Sequence, residues 1–316
     1  MTMRAAELEL ETVTVEQIER VLVARVSAPP YNFMTAQMQK DLDALTIAVD
    51  ADDSVGAVIL TGGIEHRYIT HFDIEDILTA STGRVLPHAV VSGLLAGVAA
   101  FPGARDIIER SPIGGLLTIT RFNDVVLRIM RSPAVYLAAI GGPCGGGGLE
   151  LSVCLDVRIA ADDDHTGFML PELLIGLTTT VGGQRLAQLI GPSRALEMLL
   201  QGRRYSSQEA LGMGLLNRVV PAERLMDETM ELAQLYSRRN RATVAAQKQI
   251  FNEHHALSPA DSLRREGATS VISINADAAN RALQEWVDRQ RDGDSVFLTE
   301  PEPWVRGDAV SLNRRD

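Results

Sequence analysis

The stretch Ala134-Val135-Tyr136-Leu137-Ala138-Ala139-Ile140-Gly141-Gly142-Pro143-Cys144-Gly145-Gly146-Gly147-Gly148-Leu149-Glu150 decides the fold. Its first seven residues form an unbroken apolar run bounded by turn formers, as expected of a buried strand. Four glycines follow, and the apolar residues from Leu149 to Cys154 then predict a helix. Strand, glycine turn and helix start leave unpaired main-chain N–H groups at the turn, where the absence of side chains lets a ligand approach closely. Such a turn holds negative charge, whether a phosphate or an oxyanion that develops during a reaction. Glu150 is read as a first-turn acid beside whatever the turn holds.

Spacing separates these uses. A phosphate-binding P-loop needs Lys-Ser or Lys-Thr after its glycines, and Leu149-Glu150 stands there instead. A dinucleotide fingerprint could use Gly145 and Gly147 with Asp164 as the later acid, but Glu150 then occupies the third glycine position.

The chain has 316 residues, 46% of them apolar, enough to bury a substantial core. A formal net charge of −11 argues against a general nucleic-acid binder, which needs a basic face. The two cysteines, Cys144 and Cys154, suggest neither a disulfide framework nor a zinc site. Cys154 reads as a small buried residue, and Cys144, next to the glycine turn, as an accessible one. No metal site is expected. The first residues lack the apolar core of a secretory signal, and Ala89 to Phe101, the most membrane-like run, is too short to span a bilayer. The expectation is a cytoplasmic protein with no membrane partner.

Around the central stretch, strands are predicted at Glu19–Ser27, Val55–Thr61, Ala134–Ile140, Val157–Ala160 and near Leu216–Val220. Helices are predicted at Thr35–Asp50, Leu149–Cys154, Gly182–Leu189, Ser193–Leu200 and Ser207–Gly212, an alternation that indicates an α/β domain. From Ala222 only helices are predicted, at Leu225–Arg239, Ala242–His255 and Pro259–Arg291. The expected organisation is an α/β core over residues 1–221, a helical region over 222–298, and a tail over 299–316 that is poorly ordered or lies against a neighbour.

With these motifs placed, the chain resembles the crotonase superfamily, the enoyl-CoA hydratase/isomerase family. The glycine stretch through Asp156 is similar to that family's strand, second oxyanion loop and helix. Phe168-Met169-Leu170-Pro171-Glu172-Leu173-Leu174-Ile175-Gly176 is similar to its second catalytic segment. Gly182-Gly183-Gln184-Arg185-Leu186, Gly191-Pro192-Ser193-Arg194-Ala195 and Gly212-Met213-Gly214-Leu215-Leu216-Asn217 continue the resemblance in order. It implies a spiral of ββα units, a C-terminal helical region that builds a homotrimer or a dimer of trimers, and an acyl-CoA thioester as substrate. Coenzyme A enters as part of that substrate, with no separate cofactor.

The resemblance further implies that two main-chain N–H groups hold the thioester oxygen as it becomes an enolate, a large catalytic term. One carries over to Gly147. The other falls in Tyr68-Ile69-Thr70-His71-Phe72-Asp73, where Phe72 takes the donor's place. The family pattern has glycine and alanine where this chain has His71 and Phe72. His71 and Asp73 are therefore additional candidates, with a plain loop role as the alternative for His71. Pro29-Pro30-Tyr31-Asn32-Phe33 occupies the place of the family's CoA loop, which makes Asn32 and Phe33 candidate CoA contacts. Lys248, on a C-terminal helix, is a third, although a solvated helix face explains it equally well.

Glu150 and Glu172 match the family's paired glutamates. Adding water across an α,β-double bond needs a base for the water and an acid for the α-carbon, and two carboxyl groups in different environments divide that work. By resemblance Glu150 acts on the water and Glu172 supplies the α-proton. Isomerisation needs one main carboxylate, so retention of both favours a hydratase that makes a 3-hydroxyacyl-CoA. Isomerisation, decarboxylation, thioester hydrolysis and non-catalytic CoA-ester binding remain open alternatives. The added segment at about 77–115 is read as a buried or subunit-contact helix, or as a lid over the acyl group.

Overall fold

The apolar runs of the sequence form a twisted sheet that is buried on both faces. In the computed structural model, which describes residues 4–80, 87–100, 115–290 and 300–313, six strands line up in the order β1 (Val13–Ile18), β2 (Val21–Val26), β3 (Ala57–Gly62), β4 (Val135–Ile140), β6 (Val157–Ala161) and β8 (Arg218–Val220). β1 is antiparallel to β2 and every later pairing is parallel. Strand order follows chain order, so the chain advances by one strand per turn, as a spiral of repeated units does.

Alternate residues serve the two faces. Leu22, Ala24, Val58, Leu60, Tyr136, Ala138 and Ala160 join the main core. That core also takes residues of α1 (Ala36–Ala51) and of Gly115–Arg131, the helix that runs into β4. Val23, Ile59, Leu137, Ala139 and Ile159 point the other way, onto Leu225, Leu232 and Ala233 of the helix Leu225–Ser237. A parallel sheet covered on both faces gives continuous apolar strands rather than alternating ones, which is why these strands stood out in the sequence. β1 did not: it is an edge strand whose Thr14, Glu16 and Ile18 face solvent, and its burial alternates.

A second, shorter layer runs beside the sheet and carries the glycine-rich part of the central stretch. β5 (Pro143–Gly145) pairs in parallel with β7 (Gly167–Met169), and single bridges extend the row at Met34–Phe72 and Phe168–Tyr205. Each turn of the spiral therefore gives one strand to the large sheet and one short segment to this layer.

The predicted helices are present with shifted ends; in chain order the helices after α1 are α2 (Ile74–Ala80), α3 (His88–Ala100), α4 (Gly115–Arg131), α5 (Gly146–Ser152), α6 (Gly183–Ile190), α7 (Pro192–Gln201), α8 (Ser207–Met213), α9 (Leu225–Ser237), α10 (Arg241–Glu253), α11 (Pro259–Ile274), α12 (Asp277–Gln290) and α13 (Glu302–Arg306). Of these, α2, α4 and α13 were not predicted. The single helix predicted over Pro259–Arg291 is two, because Asn275 caps α11 through a hydrogen bond from its side-chain amide to Val271 O at 2.7 Å. The tail also differs from expectation. Residues 300–313 dock on their own chain, with Asp308 paired to Arg238 at 2.5 Å and Asn240 donating to Leu312 O at 2.8 Å.

Of the added segment at about 77–115, residues 81–86 and 101–114 lie outside the described residues. α3 lies against α4 but is mostly exposed: Val98 is buried, and Val90 faces solvent. That departs from a helix buried in the core. Among the described residues no helix is long and apolar enough to cross a membrane.

Candidate active site

The four glycines are there because another chain segment lies directly on them. Gly145 N–H donates to Thr70 O at 2.9 Å. A Cβ on Gly146 would lie 3.3 Å from His71 Cβ, one on Gly147 would lie 2.5 to 2.7 Å from the ring of Phe72, and one on Gly148 would strike Ile69 O. Gly146 also takes φ +44°, a left-handed angle that glycine adopts without strain. Residues 69–72 thus run along the start of α5, and the two segments expected to supply the oxyanion donors are brought together.

Main-chain hydrogen bonding fixes the first of those donors. Met34 N–H donates to His71 O at 2.8 Å, and Asp73 N–H donates to Met34 O at 3.1 Å. In such a parallel bridge the N–H and C=O of the intervening residue, Phe72, face away from Met34. Gly147 sits in the first turn of α5, whose N–H groups have no partner within the helix. The helix begins at Gly146, three residues before the predicted start, so Glu150 belongs to its second turn and not its first.

What Glu150 meets instead is a distant loop. The residue is 2% exposed, and Oε1 accepts N–H groups from Thr180 at 2.6 Å, Val181 at 3.0 Å and Gly182 at 3.3 Å. Gly182 is needed for this contact, since a Cβ there would lie 2.6 Å from Glu150 Cα. Burial raises the pKa of Glu150, and the three amides oppose the rise. Oε2 makes no hydrogen bond among the described residues and is the oxygen left for another partner.

Glu172 opens a short 3-10 turn, Glu172–Ile175, after Pro171. Oε1 approaches within 3.2 Å of where a Gly146 Cβ would be, and Oε2 is buried with no hydrogen-bond partner among the described residues. Burial pushes the carboxyl up to about 7, the charge of Glu150 adds to the rise, and its own N–H opposes it. The structure therefore sets two carboxyl groups with different surroundings beside one glycine turn.

The other candidates divide. Asp73 starts α2, its Oδ1 accepting Glu75 N–H at 2.9 Å. Phe33 is stacked between Tyr31, at 5.1 Å between ring centroids, and His71, at 4.3 Å. Asn32 is fully buried, accepts Ala28 N–H at 2.7 Å and donates to Val26 O and Tyr68 O, so its side chain staples the loop. Lys248 is buried as well, donating to Ala134 O at 2.9 Å and Asp156 Oδ2 at 2.7 Å. Both side chains are committed inside the protein, and neither is carried forward as a CoA contact. Cys144 is fully buried rather than accessible, and burial pushes its thiol up to about 12.

Two features escaped the sequence reading. The amides of Thr180 to Gly182 hold Glu150 across 30 residues of chain. Gly182-Gly183 was visible as a motif, but its task could not be read without the fold. Arg158 is the other: buried, it donates to Ser152 O, Leu155 O and Leu215 O and so closes the C-terminal end of α5. No cluster of three or more His, Cys, Asp or Glu side chains suited to a metal occurs among the described residues.

Comparison with known proteins gives relatives in both sequence and fold. Residues 106–292 match the family model described as enoyl-CoA hydratase/isomerase. The chain is 28% identical over 260 residues to the probable enoyl-CoA hydratase echA8 of Mycobacterium tuberculosis, covering 81% of this chain and 87% of that one. It is 30% identical over 214 residues to the fatty acid oxidation complex subunit alpha of Shewanella baltica, covering 67% of this chain and 26% of that larger one. In fold it resembles the crystal structure of an enoyl-CoA hydratase from Mycobacterium smegmatis, with a TM-score of 0.72 at 23% identity over 90% of this chain and 99% of the other.

Proposed function

The chain belongs to the enoyl-CoA hydratase/isomerase family, and we propose that within it the protein adds water to a 2-enoyl-CoA to give a 3-hydroxyacyl-CoA. The observation that carries this reading is the unequal pair: Glu150 fixed by three amides, and Glu172 with a pKa of about 7 and an unpartnered buried oxygen.

In the proposed reaction the thioester oxygen lies against the N–H groups of Phe72 and Gly147. Glu150, held through Oε1, uses Oε2 to orient a water and take its proton as the oxygen bonds to C3. Electrons move from the double bond onto the thioester oxygen, forming an enolate that the two amides stabilise. Glu172 then delivers its proton to C2, and the carbonyl re-forms. Proton transfer by a placed group and preorganised donors each contribute orders of magnitude to such reactions.

Isomerisation is the second reading, because a single carboxyl near neutrality, such as Glu172, can carry a proton between carbons. Incubation with a 2-enoyl-CoA decides between them: hydration adds the mass of one water and isomerisation adds nothing. Glu150→Gln and Glu172→Gln should each lower hydration by roughly 100-fold or more. Three enzymes with equal rates would remove the assignment.

We further propose that the chain assembles as a homotrimer or a dimer of trimers. α11 and α12 contain no buried residue, and Leu263, Val271, Ile272, Ile274, Leu283 and Val287 are all exposed on them. Apolar side chains grouped on two helices mark an association surface.

A further inference from the structure

We propose that His71 is a positioning residue of the oxyanion hole, acting through the carbonyl of Phe72; the inference rests on the proposed use of the Phe72 N–H. His71 Nδ1 lies 2.6 Å from Phe72 O. A carbonyl oxygen only accepts, so Nδ1 carries the proton and donates it. The Met34 bridge turns both the N–H and the C=O of Phe72 to the same side, the side away from Met34. An oxyanion that accepts the Phe72 N–H therefore develops beside the negative end of the Phe72 carbonyl dipole. Left bare, that dipole would oppose the charge it stands next to. With Nδ1–H bonded to it, much of the opposition is cancelled, and the loop is held in the geometry that presents the amide.

The ring is itself held in place. It stacks on Phe33 with 4.3 Å between centroids and 26° between planes, and Phe33 stacks in turn on Tyr31. His71 Cβ and Glu172 Oε1 both face Gly146, 3.3 and 3.2 Å from where its Cβ would be. The backbone does not require glycine here either: among the described non-glycine residues, positive φ occurs at Glu19, Asn32 and His66 and not at His71. The side chain at 71 is thus accommodated by the loop, fixed by an aromatic stack and bonded to the peptide that follows the donor.

Three substitutions separate donation from packing. His71→Phe keeps a ring on Phe33 but has no donor, His71→Ala loses both, and His71→Asn keeps an N–H near the position of Nδ1. For hydration of a 2-enoyl-CoA, H71F and H71A should lower kcat roughly tenfold with KM changed by less than about threefold, because the interaction matters most when the oxyanion forms. H71N should recover most of the loss. A second readout does not depend on hydration. Acetoacetyl-CoA forms an enolate with its own near-ultraviolet absorbance, and the fraction enolised when bound should fall in H71F and return in H71N. Wild-type kcat in H71F, a loss confined to KM, or enolate absorbance that is equal in all forms or absent from the wild type overturns the inference. If the wild type fails to hydrate while the enolate signal still follows the donor at 71, the hydratase reading falls and this inference stands.

Discussion

Glu150 and Glu172 have the same functional group, and their neighbours decide how firmly each holds a proton. Glu172 must be protonated to act as the acid, so hydration should decline as pH rises through about 7, and that limb should disappear from the residual activity of Glu172→Gln. A pH–kcat profile with no limb near that value would contradict the assignment. The same carboxyl carries a stability consequence. Its folded pKa is raised from 4.5 to about 7, so the folded state binds the extra proton between those values. Its stabilising contribution is complete below about pH 4.5 and is lost as pH rises through about 7. Glu172→Gln should therefore be more stable than wild type at pH 8, by on the order of 1 kcal/mol after allowance for solvent screening. That advantage should vanish at acid pH in denaturant titrations. Both glutamates were legible in the sequence because they stand in recognisable segments. The partners of Glu150 were not, since no periodicity links position 150 to the amides at 180–182. The internal bonds of Asn32 and Lys248, two candidate CoA contacts, were hidden for a related reason: a polar residue in a motif looks the same whether it faces a ligand or the inside of its own loop.

The start of α5 shows why four glycines occur in succession. Each faces part of residues 69–72, and the space available differs between them. Gly148→Ala places a methyl against the backbone oxygen of Ile69, which cannot swing aside, so it should cost on the order of 3 kcal/mol or prevent folding. Gly147→Ala meets the Phe72 ring, the end of a side chain packed edge-to-face on Phe122 at 5.3 Å. It should fold and lose activity, because the ring must shift beside the proposed oxyanion donors. Thermal melts and initial rates on the two variants check this ordering, and a stable, fully active G148A would contradict it. At this scale the strands and helices were legible wherever the apolar pattern was strong. The start of α5 was missed because glycine rarely begins a helix on propensity alone. β1 was missed because an edge strand exposed on one side, at Thr14 and Glu16, lacks a continuous apolar run, and the break at Asn275 because a capping side chain resembles any other polar residue.

Over the whole molecule, buried cations rivet the C-terminal helices to the sheet that carries the site. Arg241 donates to the carbonyls of Val49, Asp50 and Val55, and Lys248 ties the start of β4 to Asp156. These contacts secure α10, while α11 and α12 project apolar side chains outward, Ile272 at 74% exposure. The proposed assembly predicts a trimer or hexamer by sedimentation, and Val271→Asp with Ile272→Asp should shift the population toward monomer. A wild-type monomer at micromolar concentration would refute the assembly without touching the chemistry. The α/β core and helical C-terminal region were readable from the switch in pattern at Ala222. The docking of residues 300–313 was not, because it rests on side-chain amides and arginines that meet main-chain carbonyls far away in sequence. The most direct test of the account is the mass of the product formed from a 2-enoyl-CoA in water enriched in oxygen-18. The account predicts a 3-hydroxyacyl-CoA heavier by one labelled water, with its formation collapsing in Glu150→Gln and Glu172→Gln. A product of unchanged mass, or labelled product made equally fast by both variants, would contradict it.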